Sequence, residues 1–259
     1  MAIEKKNKPS KVRPLSRLRE LCQSNKKVLF EGTEEGTHVL YFKDTLGIYD
    51  RNFGCSGSLN NRMSELFLSR IESIGVETHF IKRLSMCEQL VKALEVLPFS
   101  IRIHNFAFGD FAKRFNICEG TMFAEPILEF IVVDQEKKPH FVSTQQIVAL
   151  GLADEEEIKS ILEKVGRIND FMNGQFLALG MRLGFYKVEF GRLYFSDIFN
   201  DHKIILSDSF NMEDMLILDV ESGYTQLNGF TCDEVAQRFG IDKPGGVPDL
   251  RRTFKNADS

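Results

Sequence analysis

With 259 residues, 43% of them hydrophobic, the chain can bury a substantial core, either as one large domain or as two small lobes sharing a cleft. A net charge of −4, no apolar run near the roughly 18 residues of a membrane helix and no apolar signal stretch at the amino terminus point to a cytoplasmic protein without a membrane segment. Phe is abundant at 23 while Trp is absent, so the aromatic content reads as core filling, and the 5 cysteines include no Cys-x-x-Cys pair and suggest no disulfide framework.

Residues 1–20 form a basic arm containing Lys5, Lys6, Lys8, Lys11, Arg13, Arg17 and Arg19, opposed by Glu4 and Glu20. It reads as a solvated tail, and the interleaved aromatics that single-strand binding would want are missing, so no nucleic-acid partner is expected. From 21 to 98 a sheet-rich lobe is expected. KVLFEG and THVLYFKD form a hairpin across a turn-like TEEG. LNNRMSELFLSRIESIG then places Leu59, Met63, Leu66, Phe67, Ile71 and Ile74 at helical spacing, with Ser58 to cap the helix and Gly75 to end it.

THFIKRL, SIRIHNFAF and ILEFIVVD supply further strands, interrupted by a corner at Pro98. Residues 99–241 are expected to form an α+β lobe. A long helical stretch follows Ser143, strongest from Asp154 to about Leu179, where Ile158, Ile161, Leu162, Val165, Ile168, Met172 and Phe176 trace one face. Its acidic start suits the positive end of a helix dipole. The strands RLGFYKVEFGRLYF and KIILSDSF flank the polar loop SDIFNDH, and the tail 242–259 is expected to be poorly ordered.

If those two strands pair symmetrically about their loop, Glu189 lies directly across from Asp208, and the period of two brings Lys187 to the same face. Opposed carboxylates repel unless a cation bridges them, and magnesium carrying ATP phosphates would do so with one or two carboxylates. The competing interpretation is an exposed acid pair neutralised by Lys187 and Lys203. His38, His79, His140 and His202 have no partners at metal-ligand spacing and read as surface or structural histidines; no zinc is expected.

The strings LGFYKVEFGRL, LNNRMSELFLSRIESIGVETHFIKRL and QLVKALEVLP resemble phosphoribosylaminoimidazole-succinocarboxamide synthetase (SAICAR synthetase), collinearly from about Leu21 to Ile241. The resemblance implies a two-lobed α+β fold with antiparallel sheets and ATP in the cleft between lobes. The implied reaction joins an aminoimidazole ribotide carboxylate to L-aspartate, with ATP activating the carboxylate as an acyl phosphate, in de novo purine synthesis. A homo-oligomer is compatible with it.

Carried over by position, the family's Lys-x-Glu-Phe-Gly motif matches Lys187 to Gly191 and its metal-binding acid matches Asp208, so Lys187, Glu189 and Asp208 are the expected catalytic residues, with Glu189 and Asp208 on Mg2+. Nucleotide contacts fall on Lys27, Lys92 and Val96, and substrate contacts on Asn60, Asn61, His104 and Asn105. Departures are also visible. Asn25 replaces a lysine of the phosphate-contacting segment. His104 and Asp110 stand where the ribotide site has arginine and serine, and Leu216 stands where it has a second arginine. Each charge-assisted bond to phosphate is worth about 1.5–3 kcal/mol, so the ribotide phosphate grip is expected to be weak. Two readings follow: a working ligase of this family, on the ribotide or a different carboxylate, or a non-catalytic nucleotide-binding paralogue.

Overall fold

The computed structural model describes residues 18–44, 56–136, 138–196, 201–219 and 231–241. The basic arm up to Arg17, the loop between the two late strands and the tail from 242 lie outside them. The architecture is α+β. A five-stranded antiparallel sheet runs in the order β1 (Glu20–Gln23), β2 (Lys27–Glu31), β3 (Thr37–Phe42), β5 (Glu88–Lys92), β4 (Phe80–Arg83). The second sheet has the order β10 (Asp201–Leu206), β9 (Met181–Ser196), β6 (Glu95–Phe106), β7 (Met122–Val133), β8 (Pro139–Val142), with β11 (Leu216–Asp219) also on β9. The expected hairpin is present as β2 and β3, with Leu29 opposite Leu40.

Helix α1 (Gly57–Ser73) is capped by Ser56, whose hydroxyl accepts from Leu59 N at 3.2 Å, and not by Ser58, which lies within the first turn. Gly57 opens the helix because its backbone rests on the end of β3: a Cβ there would stand 2.3 Å from the Phe42 carbonyl oxygen. Gly75, at φ 77°, ends it as expected. After the short α2 (Gly109–Phe115), the long helical stretch divides in two, α3 (Thr144–Ala149) and α4 (Glu155–Leu177). Asp154 and Glu157 satisfy each other's backbone amides at the start of α4. The expected apolar face is buried except at Leu162, which is 38% exposed.

Pro98 is not a corner. It lies inside β6, where the register on β9 shifts between Val96 and Ser100. A bulge of this kind tolerates the missing N–H donor.

The main core packs α1, α4 and α5 (Cys232–Arg238) against the inner face of the larger sheet. Its centre is Phe67, fully buried, with the rings of Phe176, Phe210 and Phe239 at 5.7, 5.9 and 5.3 Å. The two sheets meet at one parallel bridge between Thr78 and Leu206, where Leu206 N donates to Glu77 O at 3.0 Å and His79 N donates to Leu206 O at 2.9 Å. No helix among the described residues is long and apolar enough to cross a membrane. Truncating Phe67 to Ala removes the shared neighbour of three rings; a loss of about 3–5 kcal/mol is expected in urea denaturation.

Candidate functional site

From Phe185 to Phe190 strand β9 alternates, after an irregularity at Gly184 that also brings Met181 and Leu183 into the core. Tyr186, Val188 and Phe190 point into the core, each no more than 1% exposed, while Phe185, Lys187 and Glu189 share the opposite face. On β6 the same face carries Ser100 opposite Glu189, Arg102 opposite Lys187 and His104 opposite Phe185. The Lys187 ammonium donates to Glu189 Oε1 at 2.5 Å.

Asp208 reaches this face by a different route from the one expected. A bulge between Asp201 and His202 shifts the register by one residue, so Leu206 opposes Phe190 and Ser207 N donates to the Glu189 carbonyl at 2.9 Å. Symmetric pairing about the loop therefore fails. Asp208 lies past the end of β10, where Phe210 takes a left-handed conformation (φ 45°) and its N–H donates to Asp208 Oδ1 at 2.8 Å. This turn buries Asp208 to 5% exposure and leaves its Oδ2 without a hydrogen-bond partner among the described residues.

Lys187, Glu189 and Asp208 shift one another. Burial, and then the Glu189 charge, push the Asp208 carboxyl up, against the pull of Lys27 and Lys187. Burial also acts to raise Glu189, but Lys187 and Lys27 outweigh it and hold that carboxyl below the usual range. Lys187 is raised, because the attraction of Glu189 and Asp208 exceeds the effect of its burial. Among the described residues no group of three His, Cys, Asp or Glu could hold a metal by protein ligands alone. Magnesium does not need one, since phosphate and water supply most of its octahedron, and a buried, unpartnered carboxylate oxygen beside a second carboxylate fits that pattern.

The smaller sheet brings lysines to this group. Lys27 donates to Ser209 Oγ, and Lys26 pairs with Asp214, so the start of β2 is tied to the 207–214 segment. Asn60 holds that segment from α1, donating to Glu213 Oε2 at 2.9 Å and accepting from Met212 N at 3.2 Å. Asn61 instead ties down the β4–β5 turn through the carbonyls of Ser85 and Met86, at 3.0 and 2.8 Å. Lys92 donates to Thr78 O at 2.8 Å, and Val96 is exposed at the start of β6. Asn105 is on the other face, exchanging hydrogen bonds with Asn169 of α4 at 3.0 and 3.1 Å. The structure does not bring it to Lys187.

His79 was missed by spacing arguments. It is buried beside the Thr78–Leu206 bridge, with Nε2 unpartnered among the described residues, and its pKa is lowered to about 3 by burial, then by Lys27 and Lys92, against Glu189. Its only sequence signal is its position at the head of β4, in the string THFIKRL. By contrast His140 accompanies Asp134 and His202 accompanies Glu157, each at 2.8 Å, as structural histidines.

Beyond Lys187 the face becomes apolar. His104 is 2% exposed, its Nε2 engaged with Glu129 Oε2 at 2.8 Å and its ring 4.4 Å from Phe111 and 5.7 Å from Phe185. Phe106, Phe108, Phe185 and Leu218 form a buried cluster with Leu216 packed on it. A separate groove of about 600 Å³ between α4 and β10 holds charges already engaged: Lys203 pairs with Glu77, Arg167 donates to Ile74 O and Lys164 to Ser160 Oγ.

Antiparallel sheets bridged at Thr78 and Leu206, with two carboxylates and two lysines near that joint, define an α+β protein with a charged face where its sheets meet. The family model for SAICAR synthetase matches residues 21–226. The phosphoribosylaminoimidazole-succinocarboxamide synthase of Dinoroseobacter shibae is 34% identical over 256 residues, covering 93% of this chain and all of that protein. The enzyme of that name from Parvibaculum lavamentivorans is 38% identical, covering 88% of this chain and 94% of that protein. The crystal structure of the Ehrlichia chaffeensis synthase is 25% identical, with a TM-score of 0.77 over 87% of this chain and 100% of that chain. The chain belongs to the SAICAR synthetase family.

A histidine held neutral in the fold opposes protonation. With His79 at about 3 when folded and near 6.5 when unfolded, its contribution to stability is complete above about pH 6.5 and is lost as pH falls toward 3. In urea denaturation between about pH 7 and about pH 4.5, His79→Gln should lose stability less steeply than the wild type, by at most about 1.4 kcal/mol per pH unit.

Proposed function

We propose that the cleft is the active site of an ATP-dependent carbon–nitrogen ligase that joins the carboxylate of an aminoimidazole ribotide to L-aspartate in de novo purine biosynthesis. The observation that carries this reading is the buried Asp208, its Oδ2 unpartnered among the described residues, beside Glu189 and in the field of Lys27 and Lys187. Two carboxylates retained in a partly desolvated cleft, with cations set against them, suit magnesium and phosphate oxygens and serve no packing purpose.

In this reaction a carboxylate oxygen of the acceptor attacks the γ-phosphorus of ATP, ADP leaves, and an acyl phosphate forms. The aspartate amine then attacks the acyl carbon, inorganic phosphate departs, the nitrogen loses a proton and the amide remains. Lys187 and Lys27 are the groups that would neutralise the transferred phosphoryl oxygens, and their fixed charges need no reorganisation in the transition state. Glu189 and Asp208 would hold Mg2+, which supplies charge neutralisation on the phosphates when bound. Lys92, Val96 and His79, at the β4–β5–β6 side of the cleft, are assigned to the nucleotide. Asn60 acts through Glu213 and the 212–214 turn, as a positioning residue. A division into lobes at about residue 98 and a cytoplasmic location accompany this reading.

A second reading, a nucleotide-binding paralogue without turnover, is favoured by one observation: His104 and Leu216, at positions where the resemblance expects arginines, are built into an apolar wall. Incubation with Mg-ATP, aspartate and the carboxyaminoimidazole ribotide, followed for ADP, separates the two. The ligase reading expects acceptor-dependent ADP release that falls by at least about a hundredfold in Glu189→Gln. Nucleotide binding with no ADP release on the ribotide or its riboside would establish the paralogue.

A further inference from the structure

Arg102 has no place in the assignments above, yet it occupies the middle of the cleft floor. It stands directly opposite Lys187 on β9 and opposite Glu129 on β7. Both oxygens of Glu129 are already taken, one by His104 and the other by Arg114. Among the described residues no carboxylate pairs with Arg102; its one side-chain contact is with the Phe185 ring, whose centroid lies 5.9 Å from the guanidinium carbon. Arg102 and Lys187 are thus like charges on adjacent strands, an arrangement that costs energy unless an anion sits between them. Glu189 takes Lys187 on Oε1, and on β6 it lies opposite Ser100, not Arg102.

Past Arg102 the face turns apolar. One same-face step along β6 is His104, its ring 5.7 Å from Phe185, which clusters with Phe106, Phe108, Leu216 and Leu218. Placing a phosphate against that wall would remove its hydration and offer no guanidinium in return. The anion-binding capacity of the floor is therefore concentrated at Arg102, beside Lys187, where the reacting carboxylate belongs.

We propose that Arg102, beside Lys187, anchors the reacting carboxylate of the acceptor, and that a phosphate elsewhere on the acceptor adds little to binding. This rests on the ligase reading. It makes Arg102 a specificity-determining residue, and it predicts that the dephosphorylated riboside of the aminoimidazole carboxylate serves at least nearly as well as the ribotide.

The full chain is assayed for ADP release with Mg-ATP, L-aspartate and either acceptor, and acceptor binding is titrated calorimetrically in the presence of ATP. The expected result is a kcat/KM for the riboside within about tenfold of that for the ribotide, or above it. Arg102→Met should lower kcat/KM for both by about tenfold to a hundredfold through KM, the weight of one charge-assisted anchor, with Arg102→Lys recovering part. The Kd for ATP alone should be unchanged in both variants, which a merely structural loss would not leave intact. A ribotide preference above about a hundredfold, the weight of a phosphate grip, or an Arg102→Met enzyme with unaltered KM, overturns the proposal and leaves the ligase reading standing. Arg102-dependent riboside binding without ADP release would sink the ligase reading and keep the anchor. Absence of riboside binding overturns the anchor.

Discussion

Everything in the cleft depends on the two-residue alternation of β9. The strand is paired with β6 between Phe185 and Arg192, and with β11 and β10 at its two ends, so it cannot slip without turning its core residues outward. Tyr186, Val188 and Phe190 lock the inner face against the core that holds α1, α4 and α5. Phe185, Lys187 and Glu189 are then obliged to face outward together. Burying the first set and presenting the second are one event. The Tyr186 hydroxyl illustrates how tightly the inner face is held: it is fully buried, finds no hydrogen-bond partner among the described residues, and its pKa is driven well up by burial and by the nearby Asp170 and Asp208 charges.

The second constraint is the joint at Thr78 and Leu206. It sets the head of β4 against the end of β10, and that places His79 and Lys27 from the smaller sheet close enough to Glu189 to shift its titration. Lys26 and Lys27 both grasp the 207–214 segment, so the lysines at the start of β2 and the buried acid are mechanically connected. A ligand that drew Lys27 toward phosphate would compete with Ser209 for it. Further from this joint, Arg192 binds Glu157 and Glu95 and fixes β9 to the start of α4; the Arg192 hydrogen bond lowers the Glu157 carboxyl to about 2. That cluster is structural, and it accounts for most of the charge on the α4 side of the sheet.

The polar and apolar halves of this face differ in the side chains that β6, β7 and β11 bring to it. His104 is held by Glu129 and stacked between Phe111 and Phe185, and Leu216 packs where β11 meets Phe185. On that face of β6 Arg102 stands one step from His104 and directly opposite Lys187.

Much of this was readable from residue order because it is local. The β2–β3 hairpin, the apolar faces of α1 and α4, the stop at Gly75 and the shared face of Lys187 and Glu189 follow from periods of 3.6 and 2 and from turn chemistry. Family resemblance named the same two carboxylates. Residue order alone could not place Asp208 correctly, because a one-residue bulge near the β9–β10 loop depends on how the strands twist together. Nor could it distinguish Asn60, which holds the 212–214 turn, from Asn61, which holds another. Arg102 was legible only as the same-face neighbour of His104, and its lack of a carboxylate partner became visible once Glu129 was seen to be occupied. The sequence by itself determined which side chains share a face. The tertiary structure decided which faces meet and which charges find partners, because those depend on contacts between residues far apart in the chain that no local period encodes.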